Sequence, residues 1–241
     1  MLLQALEVFG IMVAASSAQA LSGFGSALLA VPLISVMVGA KAAVVGTSLA
    51  GTLISLLVLV RDGRAVGWRT VAVALGASFA GMPIGLLVLA RIDGRILQGT
   101  IGALVIVSAF VLARGWTLRV RGTVVDAGAG FASGVLATST GTSGPPLVVA
   151  LQARGLEPVV FRATLAGVFF VQSVATVVAF AAAGQVSASA GRVFAAAAPA
   201  VLVGWALGDR VFARLDRARF RWVVLAMLAG SGALALVAAI R

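Results

Sequence analysis

The sequence contains no cysteine, no histidine and no tyrosine, and only seven of its 241 residues are acidic. Without cysteine the chain forms no disulfide and offers no thiolate nucleophile. Without histidine it has neither the commonest general base of enzymes nor an imidazole ligand for a metal. These absences exclude thiol and imidazole chemistry, and we expect neither a metal nor a cofactor.

Apolar side chains, by contrast, are abundant: 61% of the residues are hydrophobic and the mean hydropathy is +1.15. A water-soluble domain of this length needs a more polar surface. Runs of about 20 apolar residues, enough to cross a bilayer, recur along the whole chain. The sequence therefore predicts an all-α polytopic membrane protein with a single transmembrane domain over residues 1–241.

The apolar segments are interrupted in two places where a membrane helix is expected to continue. The segments are 2–21, 26–38, 42–60, 70–90, 96–113, 122–137, 145–153, 163–184, 193–209 and 222–240. Segments 26–38 and 145–153 are too short to span a bilayer. Each follows a longer segment across a break rich in glycine and hydroxyl side chains, SGFGSA at 22–27 and TSTGTSGPP at 138–146.

The order of a long helix, a break, a short helix and three further spans occurs twice, and residue matches support a duplication. SLAG at 48–51 matches TLAG at 164–167, and GMPIGLLVLARID at 81–93 matches GWALGDRVFARLD at 204–216. Glycines four residues apart, as in the second pair, allow helices to pack closely. We therefore predict two internal repeats, each a Gly-broken helical hairpin plus three transmembrane helices.

The distribution of positive charge indicates how these repeats cross the membrane. If each broken unit is a hairpin that returns to its own side, repeats 1–113 and 122–241 have three crossings each and opposite orientations. One face then has thirteen of the 18 Lys and Arg residues and the other has five. The positive-inside rule makes the first face cytoplasmic, with both termini on the outer side of the inner membrane. The net charge of +11 then indicates contact with lipid and not with nucleic acid.

Each break starts a new helix inside the protein, and such a helix start favours an anion. Ser22 or Ser26 is expected to cap the first new helix, and Thr142 or Ser143 the second. Free N–H groups and the partial positive charge of the helix dipole then point inward, and glycine lets the backbone approach a ligand. The candidate substrate-binding residues are Ser22, Gly23, Gly25, Ser26, Thr47, Ser48, Thr140, Gly141, Thr142, Ser143, Gly144, Arg162 and Gln172.

Simpler interpretations stand beside this one. A single hydroxyl in a membrane helix commonly bonds its own backbone, and Arg162 either reaches the anion or extends to lipid headgroups. Ser26 and Ser143 have no evident base to activate them, so we predict that the protein is not an enzyme. An anion-conducting pore, or a membrane partner subunit without a carrier cycle, remains an alternative. A homodimer through glycine-faced spans is also compatible with the sequence.

Two segments resemble those of a known transporter family. GFGSALLAVPLISVMVGAKAAVVGTSLAG at 23–51 and GVLATSTGTSGPPLVVALQARGL at 134–156 are similar to the two Gly-rich segments of the TauE/SafE family. The resemblance extends over nearly the whole chain. It implies an inner-membrane transporter, usually an exporter, whose partner is a small anionic substrate such as sulfite, an organosulfonate or a related carboxylate.

Overall fold

The computed structural model describes residues 2–114, 122–212 and 237, and the first two of these ranges are almost entirely helical. They contain no strand, so the predicted all-α class is confirmed. The helices are α1 Leu2–Ser22, α2 Ser26–Val38, α3 Ala40–Asp62, α4 Trp68–Arg91, α5 Gly94–Arg114, α6 Thr123–Ser139, α7 Gly144–Gln152, α8 Pro158–Ala182 and α9 Ala188–Phe212. The expected segment 222–240 is described only at residue 237.

Six of these helices are long and apolar enough to cross a membrane: α1, α3, α4, α5, α8 and α9. Helix α2 has 13 residues and α7 has nine, so the two segments expected to be short are short. At 1.5 Å per residue, α7 extends only about 14 Å, roughly half of a hydrocarbon core. The chain is therefore a multi-pass membrane protein that also contains two helices too short to cross the bilayer.

Helices α1 and α2 form the first hairpin, which we call hairpin 1. Gly23 has φ +82° and Gly25 has φ +104°, backbone conformations that L side chains rarely adopt, and both lie where α1 ends and α2 begins. At the other end of the hairpin, Gln4 Nε2 donates a hydrogen bond of 3.0 Å to the Met37 carbonyl oxygen. The start of α1 and the end of α2 are thus neighbours, and the chain returns to the side from which it entered.

Helices α6 and α7 form the second hairpin, hairpin 2, with the same construction. Gly141, at φ +72°, lies in the turn between them. Arg154, just beyond α7, forms an ion pair with Asp126 in the first turn of α6. Asp126 is only 3% exposed, and the guanidinium of Arg154 pairs with its carboxylate in place of water.

The long arm of each hairpin packs along a helix from the other half of the chain. Helix α6 lies along α4, and α1 lies along α9. A methyl group at Gly85 of α4 would collide with the Val135 carbonyl oxygen of α6, and one at Gly204 of α9 would collide with Ser16 of α1. Glycine pairs therefore set the close approach of both helix pairs. The glycine faces of α4 and α9 are thus covered by α6 and α1 of the same chain.

Helices α3 and α8 pack against each other at the centre of the fold. Helix α3 also contacts α9, and α8 contacts α4, so each central helix touches the partner of one hairpin. The matched pairs of contacts are compatible with two inverted repeats. That arrangement stays a prediction, since segment 222–240, which is expected to complete the second unit, is described only at residue 237.

Candidate functional site

A cavity of about 70 Å³ lies between the two hairpin tips and the two central helices. A water molecule needs only about 10–15 Å³ of such space, so the cavity has room for several waters or for one small polyatomic anion. Its walls include the middle of α3, from Thr47 to Ser55, and the middle of α8, from Phe169 to Thr176. The two breaks in the sequence thus meet at one place, halfway along the spanning helices.

Most of the candidate residues from the sequence line this cavity. They are Gly25, Ser26, Thr47, Ser48, Gly141, Thr142, Ser143, Gly144 and Gln172. They come from α2, α3, the tip of hairpin 2 and α8, which are brought together only by the tertiary fold.

The short helices begin at the cavity, but their caps differ from those we expected. Gly25 is the N-cap of α2, and the Ser22 hydroxyl instead donates to backbone carbonyls at Ala18 (2.8 Å) and Phe24 (2.6 Å). Ser143 is the N-cap of α7, which agrees with one of the two residues expected there. Within the described part of the chain, neither helix start has a side-chain cap hydrogen bond.

The two helix starts offer different numbers of backbone donors. In α2 the Leu29 N–H bonds to the Gly25 carbonyl (3.2 Å), so the first-turn N–H groups before it have no partner in the helical ladder. In α7 positions 145 and 146 are proline, which has no N–H. Helix α2 is therefore the richer source of N–H donors for a ligand.

Several hydroxyls that line the cavity are already committed as donors. Thr47 Oγ1 donates to the Ala43 carbonyl and Ser48 Oγ to the Val44 carbonyl, both at 2.7 Å. Ser26 Oγ donates to the amide oxygen of Gln19, which also lines the cavity. This is the local bonding expected of hydroxyls in membrane helices. These oxygens keep their acceptor capacity, but their hydrogens are not directed at a ligand.

Gln172 is tied to two neighbouring helices. Its Nε2 donates to Ser78 Oγ of α4 (2.7 Å) and to Ser133 Oγ of α6 (3.0 Å). Since a glutamine amide has two N–H groups, both are engaged. Gln172 therefore anchors α8 against α4 and α6, next to the cavity wall.

Thr176, one turn beyond Gln172, has a different environment. It is 2% exposed and lines the cavity, and its Oγ1 finds no hydrogen-bond partner among the described residues. An unpaired buried hydroxyl costs about 1–3 kcal/mol. A ligand in the cavity that accepts a hydrogen bond would remove this cost.

Four candidate residues are not part of the cavity wall: Ser22, Gly23, Thr140 and Arg162. Thr140 Oγ1 is 2.7 Å from Thr142 Oγ1 and so supports a lining residue.

Gly23 packs on Arg162, since a Cβ added to it would lie 3.0 Å from Arg162 Cγ. The Arg162 guanidinium pairs with Asp62 at the end of α3 and donates to the Ala20 carbonyl (3.1 Å). Arg162 thus joins α8, α3 and hairpin 1 beside the site.

Sequence reasoning missed several lining residues, including Ser55, Phe169, Ser173 and Thr176. A signal was present for two of them. Thr176 follows Gln172 by four residues and Ser55 follows Ser48 by seven, spacings that place residues on one helix face. Extending that face along α3 and α8 would have found both.

The cavity has no permanent charge in its described wall, which consists of hydroxyl, amide, glycine and apolar residues. The carboxylates of Asp62, which is partly buried, and Asp126, which is buried, are each paired with an arginine. Among the described residues there is no cluster of acidic side chains that would hold a metal ion. In this described wall, the starts of α2 and α7 are therefore the groups that carry partial positive charge.

An all-α chain with membrane-length helices and a polar cavity where two broken hairpins meet defines a multi-pass membrane protein with an internal polar site. The family model described as "Sulfite exporter TauE/SafE" matches residues 8–235, so the chain belongs to the TauE/SafE family. Membership implies a membrane exporter of sulfite or a related sulfur compound. Comparisons with curated proteins and with solved structures give no significant match.

Proposed function

We propose that the protein is a secondary transporter that moves small anions across the inner membrane, in the direction of export. Sulfite or an organosulfonate is the first candidate substrate, followed by related sulfur-containing or carboxylate anions. The proposal depends on one observation, that the tips of both Gly-broken hairpins open onto the same polar cavity. Transporters with broken helices bind their substrates at this kind of position, near the midplane and between repeats.

The pairing of helices across the two halves supports a carrier cycle. Hairpin 1 packs on α9 and hairpin 2 on α4, so each hairpin is held by a helix of the opposite half. Movement of one hairpin and its partner helix against the other pair would expose the cavity first to one side and then to the other. A fixed pore needs no such division.

The absence of a charged wall suggests how transport is driven. None of the described carboxylates lines the cavity, so it offers no evident carrier for a coupled proton. Export of an anion is favoured by the membrane potential, by about 2.3 kcal/mol per charge per 100 mV. We therefore propose a uniport mechanism driven by the potential and by the substrate gradient.

Efflux from proteoliposomes tests this function. Vesicles that contain the purified protein and radiolabelled sulfite would be given a potassium gradient and valinomycin, with or without a pH gradient. We expect efflux to rise when the interior is made negative and to continue without a pH gradient. Strict dependence on the pH gradient, with no response to potential, would contradict the mechanism. Unitary currents in planar bilayers would favour the pore alternative.

A further inference from the structure

In the described part of the cavity wall, partial positive charge comes from two helix starts and not from a charged side chain. Helices α2 and α7 both begin at the cavity, and the described wall contains no Arg, Lys, Asp or Glu. Segment 222–240, which is described only at residue 237, has no ionisable residue in its sequence. Each helix start is equivalent to about half of a positive elementary charge. Together they balance about one negative charge.

An independent feature indicates that a ligand accepts hydrogen bonds here. Thr176 is 98% buried in the cavity wall, and its hydroxyl has no partner in the described part of the chain. The hydroxyls of Thr47 and Ser48, which line the same cavity, donate to their own backbone, so they can accept a hydrogen bond but do not compete for a ligand oxygen. The wall thus combines a free donor with several acceptors.

We propose that the cavity selects singly charged anions over doubly charged anions and over neutral molecules of the same shape. This inference rests on the proposed function and adds the charge of the substrate to it, so that sulfite binds as the singly charged hydrogen sulfite ion. The Born cost of removing an ion from water rises with the square of its charge, so a dianion costs about four times as much as a monoanion. Two helix starts offset the desolvation cost of a monoanion but not that of a dianion. A neutral molecule gains nothing from them.

A series of three isosteric ligands separates charge from shape. Dimethyl sulfone, methanesulfonate and sulfate share a tetrahedral sulfur centre and carry charges of zero, minus one and minus two. Thermal shift and calorimetry on the purified full chain would give their affinities, because a ligand that binds only the folded state raises the melting temperature. We expect methanesulfonate to bind at least tenfold more tightly than either of the other two.

The outcomes distinguish this inference from the proposed function. Sulfate binding as tightly as methanesulfonate would overturn the charge selection and leave anion binding intact. Equal binding of dimethyl sulfone and methanesulfonate would also overturn it, because charge would then contribute nothing. If neither these anions nor sulfite bound to the folded protein, the inference and the proposed function would both be wrong.

A pair of variants at the start of α7 tests the electrostatic origin of the selection. Ser143 is the N-cap of α7 and lines the cavity, and Asp and Asn are both good N-cap residues of nearly equal size. Ser143→Asp adds a negative charge that cancels the helix start, whereas Ser143→Asn does not. We expect methanesulfonate to bind at least tenfold more weakly to the Asp variant than to the Asn variant. Equal affinities in two folded variants would overturn the proposal.

Discussion

Asp126 and Arg154 form a partly buried ion pair that closes the open end of hairpin 2, with Arg154 Nε 3.1 Å from Asp126 Oδ1. In hairpin 1 the equivalent junction is the neutral hydrogen bond from Gln4 to the Met37 carbonyl. The two hairpins are thus fastened by different chemistry at the end far from the cavity. Both links hold a short helix in position so that its start faces the site.

Removal of Arg154 should destabilise the protein more than removal of Asp126, because Asp126 is 3% exposed while the Arg154 side chain is 30% exposed. Arg154→Met leaves a buried carboxylate without a partner, and we expect it to lower the free energy of unfolding by about 3–5 kcal/mol. Asp126→Asn leaves an arginine that can reach water, and we expect a loss of about 1–3 kcal/mol. Unfolding of the purified variants in detergent measures both.

Two controls complete this test. Arg64→Gln removes an exposed arginine and should change stability by less than about 0.5 kcal/mol. The double variant of Asp126 and Arg154 should be less destabilised than the sum of the single variants, since no charge is then left unpaired. Equal losses from Arg154→Met and Arg64→Gln would show that the pair does not stabilise the hairpin.

Replacement of Thr176 by valine removes the unpartnered hydroxyl without changing the shape of the side chain. A hydrogen bond to a charged group contributes about 1.5–3 kcal/mol, so we expect Thr176→Val to weaken anion binding by about ten- to a hundredfold. The melting temperature without ligand should stay the same or rise, because a buried unpaired hydroxyl has been removed. Calorimetry and thermal shift measure the two effects.

Thr100→Val is the matched control for this substitution. Thr100 is exposed on α5, and its hydroxyl donates to the Ile96 carbonyl at 2.8 Å. We expect its anion affinity to equal that of the wild type. If Thr176→Val bound the anion as tightly as Thr100→Val, Thr176 would not contact the ligand.

The close contact between α4 and α6 predicts strong effects of a single methyl group. Gly85→Ala would press a methyl group against the Val135 carbonyl oxygen, and Gly134→Ala would do the same at Ser78. We expect each to lower the free energy of unfolding by at least about 1–3 kcal/mol. Gly76→Ala, which has open space, should instead stabilise α4 by up to about 1 kcal/mol. Equal melting temperatures for all three variants would contradict this packing.

The hairpin path of α6 and α7 can be tested from outside the membrane, since the chain has no native cysteine. Cysteines introduced at Arg114 and Glu157, both exposed, should react with an impermeant maleimide from the same face. A cysteine at Arg192 should react from the opposite face. If residues 114 and 157 were labelled from different faces, the α6–α7 unit would cross the membrane once.

Much of the fold follows from local properties of the sequence. The apolar runs predicted the helices to within a few residues, and the glycines of SGFGSA and TSTGTSGPP identified the breaks, because only glycine readily adopts the φ values of Gly23, Gly25 and Gly141. The short segments 26–38 and 145–153 also indicated the two hairpins. These features depend on composition and spacing alone.

The contents of the cavity wall depend on tertiary packing and were less predictable. Arg162 looked like a candidate anion ligand, but its partner Asp62 lies 100 positions earlier in the chain and is brought near only by the contact of α3 with α8. Thr176 looked like any other membrane threonine. Its hydroxyl is distinctive only because its neighbours leave it unpaired, which the sequence does not encode locally.

The most direct test of the central claim fills the cavity and measures anion binding. Gly51 lies in the cavity wall on α3, and Gly76 is exposed on α4; both are helical, and a Cβ added to either has open space. We predict that Gly51→Leu abolishes the sulfite-induced rise in melting temperature, whereas Gly76→Leu retains it. A Gly51→Leu protein that folds and still binds sulfite as tightly as Gly76→Leu would contradict the account, because the anion would then bind elsewhere.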